Sequence, residues 1–343
     1  MESTAATDLA RKIVQSIERV HLDLAGWRVL TEAATGAYAV TPVIAAAAGA
    51  EVTAFAKATR YGPVDEARRQ VLDLAQHLEV GDRIQIVEML TTAEISAADI
   101  VTNSGHLRPL DAAFVRQMKA GAAIPLMYEN WELRSGEVDL EACRRFQIRV
   151  AGTNECHPNI RVFDYLGMLA LLGLFQCRVP VCGSRVLLIC DNPFAPHIAK
   201  TLVDCGAELE VFADARLPES IEVTRRSTEV PVAYDAVVVA DTPQAHPTIG
   251  RNGAAKHSIE QIGSFPALVQ LWGDVDRSCL NAVTCYPASE PPKGHMGILL
   301  NEIGPDPVVR LQAGGLKVGE VLLRDPRVGD QLWDYCQRIT TLR

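Results

Sequence analysis

Three short segments of this 343-residue chain combine imidazole, carboxylate, amide and aromatic side chains. They are residues 102–106, 128–132 and 153–157. Because imidazole titrates near neutrality, His106 and His157 are candidate general acids or bases. Glu129 is a candidate to orient or activate one of these histidines, or to hold a substrate amine or hydroxyl. The segments therefore predict acid–base chemistry.

The same segments contain candidate substrate-binding side chains: Ser104, Tyr128, Trp131 and Asn154. Tyr128 and Trp131 offer flat apolar faces with a hydrogen-bond donor, which suits a ring or a closing lid. The structural alternative is that Trp131 packs beneath its own loop. Histidine and carboxylate groups also suit zinc or iron, but neither H-E-x-x-H nor H-x-H occurs, so no metal site is predicted.

Each segment follows a short apolar stretch typical of a buried strand. From residue 27 to residue 157 such stretches alternate with helical patterns, which predicts a parallel sheet whose strand ends meet at one edge. We expect the three segments to converge there, because ligands bind at that edge in α/β folds. A second alternating series follows, so the predicted fold is α/β with two Rossmann-like parallel-sheet domains, one flavodoxin-like and one dinucleotide-binding-like, separated by a cleft.

The predicted domain boundaries follow from these two series. Residues 1–158 with 311–343 form the first, substrate-type domain, and residues 159–310 form the second. Residues 308–324 and 328–342 are predicted to be helical and to pack back on the first domain. Gly314, Gly315 and Gly319 interrupt the first of these helices and indicate a hinge, close backbone packing or ligand approach.

Composition excludes several classes of protein. The chain is 48% hydrophobic, with 42 acidic against 33 basic residues and a formal charge of -9. This charge disfavours nucleic acid and anionic membrane surfaces as partners. The longest apolar stretch, residues 163–175, is shorter than the ~20 residues of a bilayer span and predicts a buried helix. Nine cysteines and an N-terminus without a signal pattern predict free thiols and a cytoplasmic location.

The order of elements between residues 27 and 324 resembles the D-isomer-specific 2-hydroxyacid dehydrogenases. The resemblance rests on ADIVTNSGHLRPLDAAFVRQMKAGAAIPLMYENW, on the strand IRVAGTN, on the apolar helix VFDYLGMLALLGLF, and on GSRVLLICDNPFAPHIAKTLVDCGAELEVFAD. It implies a substrate domain, a dinucleotide domain that binds NAD or NADP, a small-molecule substrate and a homodimer.

The resemblance also implies cofactor-binding residues, namely Asp191, Asn192, Phe194, Ala195, Asp214 and Asp241. The family's G-x-G-x-x-G turn corresponds here to CDNPFA, in which only Ala195 suits its glycine position. The Asn192 side chain would crowd a pyrophosphate, and Asp191 would repel it unless aimed away. Asp214 lies close to where an acidic residue accepts ribose hydroxyls in such folds.

The family's catalytic histidine corresponds to His295, which would exchange a proton with the substrate oxygen. Glu290 lies five positions before it, closer than the family spacing. The family's substrate-binding arginine corresponds to Gly273 or Asp274, with Arg277 nearby. Two functions therefore stay open: an NAD(P)-dependent oxidoreductase acting on a small polar metabolite in the cleft, or a divergent member without the cofactor. The latter would be a lyase, hydrolase or transferase, or a protein that binds a small molecule or a partner.

Overall fold

The computed structural model of the chain describes residues 2–212, 216–226, 232–324 and 334–339. The backbone divides into two units: unit 1 is Met1–Val162 with Pro305–Arg343, and unit 2 is Phe163–Gly304. In the described ranges no helix has both the length and the apolar character needed to cross a membrane. All nine cysteines lie in these ranges as free thiols.

The N-terminal part of unit 1 alternates strands and helices. The helices are α1 (Glu2–Val20), α2 (Val40–Ala47), α3 (Val64–His77), α4 (Thr92–Ala97), α5 (Ala112–Val115) and α6 (Leu140–Arg145). The strands are β1 (Arg28–Ala33), β2 (Glu51–Ala56), β3 (Ile84–Val87), β4 (Ile100–Val101), β5 (Ala123–Pro125) and β6 (Arg149–Thr153). Local signals set several boundaries: Thr91 and Glu94 form a capping box at the start of α4, and Asp111 caps α5.

Unit 2 repeats the alternation. Its helices are α7 (Leu166–Gln176), α8 (Ala195–Asp204) and α9 (Ile259–Ile262). Its strands are β7 (Arg185–Ile189), β8 (Glu208–Phe212), β9 (Thr224–Arg226), β10 (Val232–Ala233), β11 (Ala236–Ala240), β12 (Ile249–Gly250), β13 (His257–Ser258), β14 (Gly263–Ser264), β15 (Ala267–Trp272) and β16 (Thr284–Tyr286).

The chain then returns to unit 1 through α10 (Asp306–Leu323) and β17 (Cys336–Arg338). The predicted helix over 308–324 is confirmed by α10. The predicted helix over 328–342 is wrong for residues 336–338, which pair antiparallel with β6. This pairing is a tertiary contact that overrides local propensity. Residues 325–333 and 340–343 lie outside the described part of the chain.

Each unit is built on a largely parallel sheet. Unit 1 has the strand order β17-β6-β5-β4-β1-β2-β3, and unit 2 has the order β16-β15-β11-β7-β8-β9, with short pairs β10-β14 and β12-β13 beside it. The predicted α/β fold with two Rossmann-like units is confirmed. The chain order reverses between β1 and β4 in unit 1, and between β7 and β11 in unit 2. Such switch points are where open α/β sheets bind ligands.

The three glycines of α10 lie against the sheet of unit 1. A Cβ atom at Gly315 would lie 2.5 Å from the Met127 sulfur, and one at Gly314 would lie 2.7 Å from the Ile160 side chain. Gly319 is similarly close to Ile100. Of the three predicted roles for these glycines, close backbone packing is the one that the structure shows.

Candidate functional site

At the switch point of unit 1, Glu32 contacts His106. Glu32 lies near the carboxyl end of β1 and is 5% exposed, and His106 lies in the turn after β4. Its Nδ1 is 3.2 Å from the Glu32 carboxylate, and its Nε2 is 2.6 Å from the backbone oxygen of Phe55. A Cβ atom at Gly105 would lie 1.6 Å from the same carboxylate, so only glycine permits this approach.

These contacts fix where protons can reside. Since a carbonyl oxygen can only accept, Nε2 of His106 donates its hydrogen to Phe55. The contact between Nδ1 and Glu32 then needs one further proton, carried by either the imidazole or the carboxyl group. Burial raises the pKa of Glu32, which favours keeping that proton within the pair. Both ring nitrogens of His106 are therefore already engaged.

Glu129 has a different environment from the predicted one. It is 3% exposed and accepts hydrogen bonds from the Trp131 indole (3.0 Å), the Glu155 backbone amide (2.8 Å) and the Gln337 side chain. The carboxylate beside His106 is that of Glu32, so Glu129 does not orient this histidine, and its alternative role of holding a substrate amine or hydroxyl stays a prediction. Burial raises the pKa of Glu129 and of Glu155. Glu129 thus joins the loops after β5 and β6 to β17.

His157 and Asn154 contact the return segment. The His157 ring stacks on Tyr335 with centroids 3.7 Å apart, and its Nδ1 accepts from the Asn159 amide at 3.1 Å. The neutral ring therefore carries its proton on Nε2. Burial lowers the pKa of His157. Asn154 donates from its side chain to the backbone oxygen of Asp334 at 2.8 Å.

The other predicted substrate-binding residues belong to hydrogen-bond networks. Tyr128 donates to Glu137 and accepts from the Asn103 side chain, which links the loops after β4 and β5. Burial and, as a smaller effect, the Glu137 carboxylate raise the pKa of Tyr128. The buried Ser104 hydroxyl lies 2.8 Å from that of Thr102.

The switch point of unit 2 holds a lysine between two carboxylates. Lys256 Nζ is 2.8 Å from Asp241, which follows β11, and 3.1 Å from Asp191, which follows β7. Burial raises the pKa of Asp241 to about 6, against the influence of Lys256. Burial also opposes ionisation of Asp191, but the Thr242 amide and Lys256 outweigh it and lower the Asp191 pKa. The two carboxylates therefore share the single cationic charge of Lys256.

Four residues of the CDNPFA turn are buried, namely Cys190, Asn192, Phe194 and Ala195, whereas Asp191 is half-buried and Pro193 is exposed. Asn192 is 7% exposed and bonds within the turn and to the end of β11. The buried Phe194 ring packs edge-on against Phe163, with centroids 5.0 Å apart. Ala195 is fully buried at the start of α8, in the position where the family has its third glycine.

Two buried carboxylate oxygens lie at this edge of unit 2. Asp241 Oδ1 and Asp274 Oδ2 have no hydrogen-bond partner among the described residues. Gly273 brings the two loops together, because a Cβ atom there would lie 3.1 Å from the Asp241 backbone oxygen. A recess of about 220 Å³ adjoins Asp241, and its lining includes Gln244, His246, Thr248 and Lys256. Buried acceptors without donors are costly unless a ligand or water supplies the hydrogen.

His295 belongs to unit 2, whereas the other three predicted catalytic residues belong to unit 1. It is exposed and follows Gly294, whose amide donates to Asp274 at 2.8 Å. Arg277 is held by Gln270 at 2.9 Å and by the backbone oxygens of residues 287 and 288. It therefore has a structural role in joining the segments around β15 and β16. The predicted ribose-binding Asp214 lies outside the described residues.

Two charged residues of these sites were not singled out from the sequence. Glu32 had a usable signal, because an acidic residue inside an otherwise apolar strand needs a partner. Lys256 had none, since it lies 65 positions after Asp191 in a small-residue loop. In the part of the chain that the structure covers, no group of three His, Cys, Asp or Glu side chains is arranged to hold a metal ion.

Comparison with solved structures shows the fold. A dipicolinate synthase structure from Bacillus halodurans aligns over 89% of this chain and 100% of its own, with a TM-score of 0.52 and 9% identity. A dipicolinate synthase structure from Bacillus subtilis aligns over 88% of this chain and 97% of its own, with a TM-score of 0.51 and 11% identity.

An NAD-complexed D-isomer specific 2-hydroxyacid dehydrogenase from Lactobacillus delbrueckii ssp. bulgaricus aligns over 88% of this chain and 98% of its own. Its TM-score is 0.45 and its identity is 12%. No protein-family model and no curated protein sequence matches the chain. At these identities the comparisons establish the shared two-unit architecture, and function has to be argued from the site.

Proposed function

We propose that this chain is an NAD(P)-dependent oxidoreductase of the 2-hydroxyacid dehydrogenase type that acts on a small polar metabolite. The observation that carries the proposal is the pair of buried carboxylate oxygens, on Asp241 and Asp274, that have no donor among the described residues. Asp241 lines a recess at the switch point of the unit 2 sheet, and the Asp274 backbone oxygen accepts the amide of Thr248, another lining residue. Open α/β sheets bind their ligands at such points.

The residues at this edge suit a dinucleotide in part. Asp241 and Asp274 would accept hydrogen bonds from hydroxyl groups, which a ribose supplies. Lys256 would supply positive charge toward phosphate. Ala195 suits the close helix packing of the glycine motif. The backbone amides of Phe194, Ala195 and His197 in the turn are already hydrogen-bonded, so we assign the cofactor's polar contacts to the side chains at the recess.

A bound nicotinamide ring supplies the hydride donor or acceptor. The chain must then exchange a proton with the substrate oxygen, and we assign this role to His295. Its exposure leaves the ring accessible to a ligand, and Asp274 fixes the neighbouring backbone at Gly294. Arg277 is bonded to Gln270 and to the backbone oxygens of residues 287 and 288, so a substrate carboxylate is not assigned to it.

The proposal includes a homodimer and a cytoplasmic location. Met168 and Phe175 lie seven positions apart on α7, hence on one face, and are 49% and 61% exposed. Two exposed apolar side chains on one helix face support association with a second copy. Nine free thiols support a reducing compartment.

One observation favours the second candidate, a member that works without the cofactor. In unit 1 the Glu32–His106 pair lies at a switch point, with His106 Nδ1 3.2 Å from the carboxylate. For this pair to transfer a proton in a lyase, hydrolase or transferase reaction, a polar ligand would have to displace one of the two contacts of His106. The pair would act independently of unit 2.

The test is oxidation of NADH and NADPH in the presence of a panel of small 2-oxo acids, and the reaction is measured as the loss of the reduced cofactor's absorbance. The protein is first freed of bound small molecules, which are identified by mass spectrometry. We expect turnover by wild type, and His295→Gln should lower it by about 100-fold or more. His77→Gln, at an exposed histidine of α3, should leave turnover unchanged. No turnover, together with a co-purified ligand that is not a nucleotide, would instead support the second candidate.

A further inference from the structure

The Asn192 side chain fastens the first strand–helix turn of unit 2. Its Oδ1 accepts the Phe194 backbone amide at 2.9 Å. Its Nδ2 donates to the Ala240 backbone oxygen at 2.8 Å and lies 3.3 Å from the Thr242 hydroxyl. One buried side chain thus joins the turn after β7 to the loop after β11.

The other donors of this turn are also taken. Proline occupies positions 193 and 196, so neither has an N–H. The Ala195 amide donates to Asn192 O at 3.1 Å, and the His197 amide donates to Phe194 O at 3.1 Å. From residue 193 to residue 197 every backbone N–H therefore already has an acceptor. A helix N-terminus binds phosphate through such N–H groups, and here they are occupied by the protein itself.

We infer that the Asn192 carboxamide is a built-in competitor for the phosphate position of this turn, and that it sets the affinity of unit 2 for a phosphate-bearing ligand. The inference rests on the proposed function, because it concerns how a dinucleotide would reach the turn. The Asn192 oxygen accepts the amide that a phosphate oxygen would otherwise accept.

The neighbouring charges act in the same direction. Asp191 is partly buried next to Asn192 and is ionised at neutral pH, so it repels a phosphate. Its cationic partner Lys256 is also bonded to Asp241, which reduces the charge that Lys256 can offer. The recess, with its unpartnered Asp241 oxygen, still lies beside this turn. The site therefore suits hydroxyl groups better than phosphate until Asn192 is displaced.

The backbone permits a direct test. Asn192 is not among the residues with positive φ, so alanine is compatible with its conformation. Asn192→Ala frees the Phe194 amide, and Asn192→Asp is the matched control, because it keeps the acceptor and the size but adds negative charge. Each protein is titrated by calorimetry with inorganic pyrophosphate and with NADH.

We expect Asn192→Ala to bind pyrophosphate about tenfold tighter or better than wild type, as one hydrogen bond to a charged group becomes available. Asn192→Asp should show no gain. Hydrogen exchange at the Phe194 amide gives a second readout: it should be slow in wild type, faster in Asn192→Ala, and slow again in that variant at saturating pyrophosphate.

The outcomes separate this inference from the proposed function. If wild type binds NADH and Asn192→Ala, shown to be folded by circular dichroism, gains less than about twofold for either ligand, the inference is overturned and the function stands. If wild type binds no NADH and Asn192→Ala gains pyrophosphate binding, the inference stands and the function fails. If Asn192→Ala does not fold, a fast-exchanging Phe194 amide in wild type overturns the inference and a slow one supports it.

Discussion

Replacing Asp241 by asparagine tests the electrostatics of the unit 2 site. Asp241 is 1% exposed, and its pKa of about 6 lies above the ordinary value of 3.8 because burial disfavours the charged form. The folded protein therefore binds a proton at Asp241 more tightly than the unfolded chain does. Ionising this residue in the folded state costs free energy, and the cost appears as pH rises from about 4 to above 6.

The size of this cost follows from the two pKa values. Each pKa unit corresponds to about 1.36 kcal/mol, so a rise from 3.8 to about 6 corresponds to about 3 kcal/mol of lost stability above pH 6. Asn at position 241 is nearly isosteric and does not ionise. At pH 4 the unfolded chain is already partly ionised at this position, so the free energy of unfolding of Asp241→Asn relative to wild type should increase by about 2–2.5 kcal/mol between pH 4 and pH 7.5.

The assay is native-state hydrogen exchange of the β11 amides, because these report the stability of unit 2. Any pH-independent change, such as an altered contact with Lys256, cancels when the two pH values are compared. Asp235→Asn, at an exposed position before β11, serves as the control for a surface carboxylate. A difference between Asp241→Asn and wild type that varies by less than about 1 kcal/mol over this pH range would refute the reasoning.

Three further predictions follow from packing and exposure. Gly105→Ala should lower the free energy of unfolding by about 1–3 kcal/mol more than Gly121→Ala. Both glycines have positive φ, but only at Gly105 would the added Cβ meet the Glu32 carboxylate, and equal losses in urea unfolding would contradict this. Gly315→Ala should lower the free energy of unfolding by about 1–3 kcal/mol because the added Cβ meets Met127, whereas Gly81→Ala, with nothing within 4 Å of its Cβ, should not. Similar urea midpoints for the two variants would show that α10 tolerates the added methyl group. Phe175→Glu should convert the proposed dimer to a monomer in light scattering while Leu72→Glu on α3 does not, and a wild-type monomer would end the dimer proposal.

The α/β fold was predictable because the signals for its strands and helices are local. Each element shows its own spacing of apolar residues, and turn-forming residues separate it from the next. The sequence also predicts that Asn192 and Asp191 suit a pyrophosphate poorly; in the structure the Asn192 side chain is bonded within its own turn. The sequence pattern did not indicate β17. Its three residues become a strand only by pairing with β6, a contact between distant parts of the chain.

Partners of charged side chains were the least predictable feature. Glu129 was predicted to orient one of the candidate histidines or to hold a substrate group. The carboxylate beside His106 is that of Glu32, because β4 lies next to β1 and Gly105 allows the carboxylate to approach the turn. Sheet order and one glycine decide that contact, and neither is visible in the local pattern. Lys256 reaches Asp191 and Asp241 in the same non-local manner.

The central claim is that unit 2 binds a nicotinamide dinucleotide at the Asp241–Lys256 recess. Calorimetric titration of the ligand-free protein with NAD, NADH, NADP and NADPH tests it most directly, with Lys256→Met and the exposed Lys200→Met as matched variants. We predict micromolar binding of at least one dinucleotide, weakened about tenfold or more by Lys256→Met and unaffected by Lys200→Met. Absence of binding by all four, with no nucleotide carried through purification, would contradict the claim.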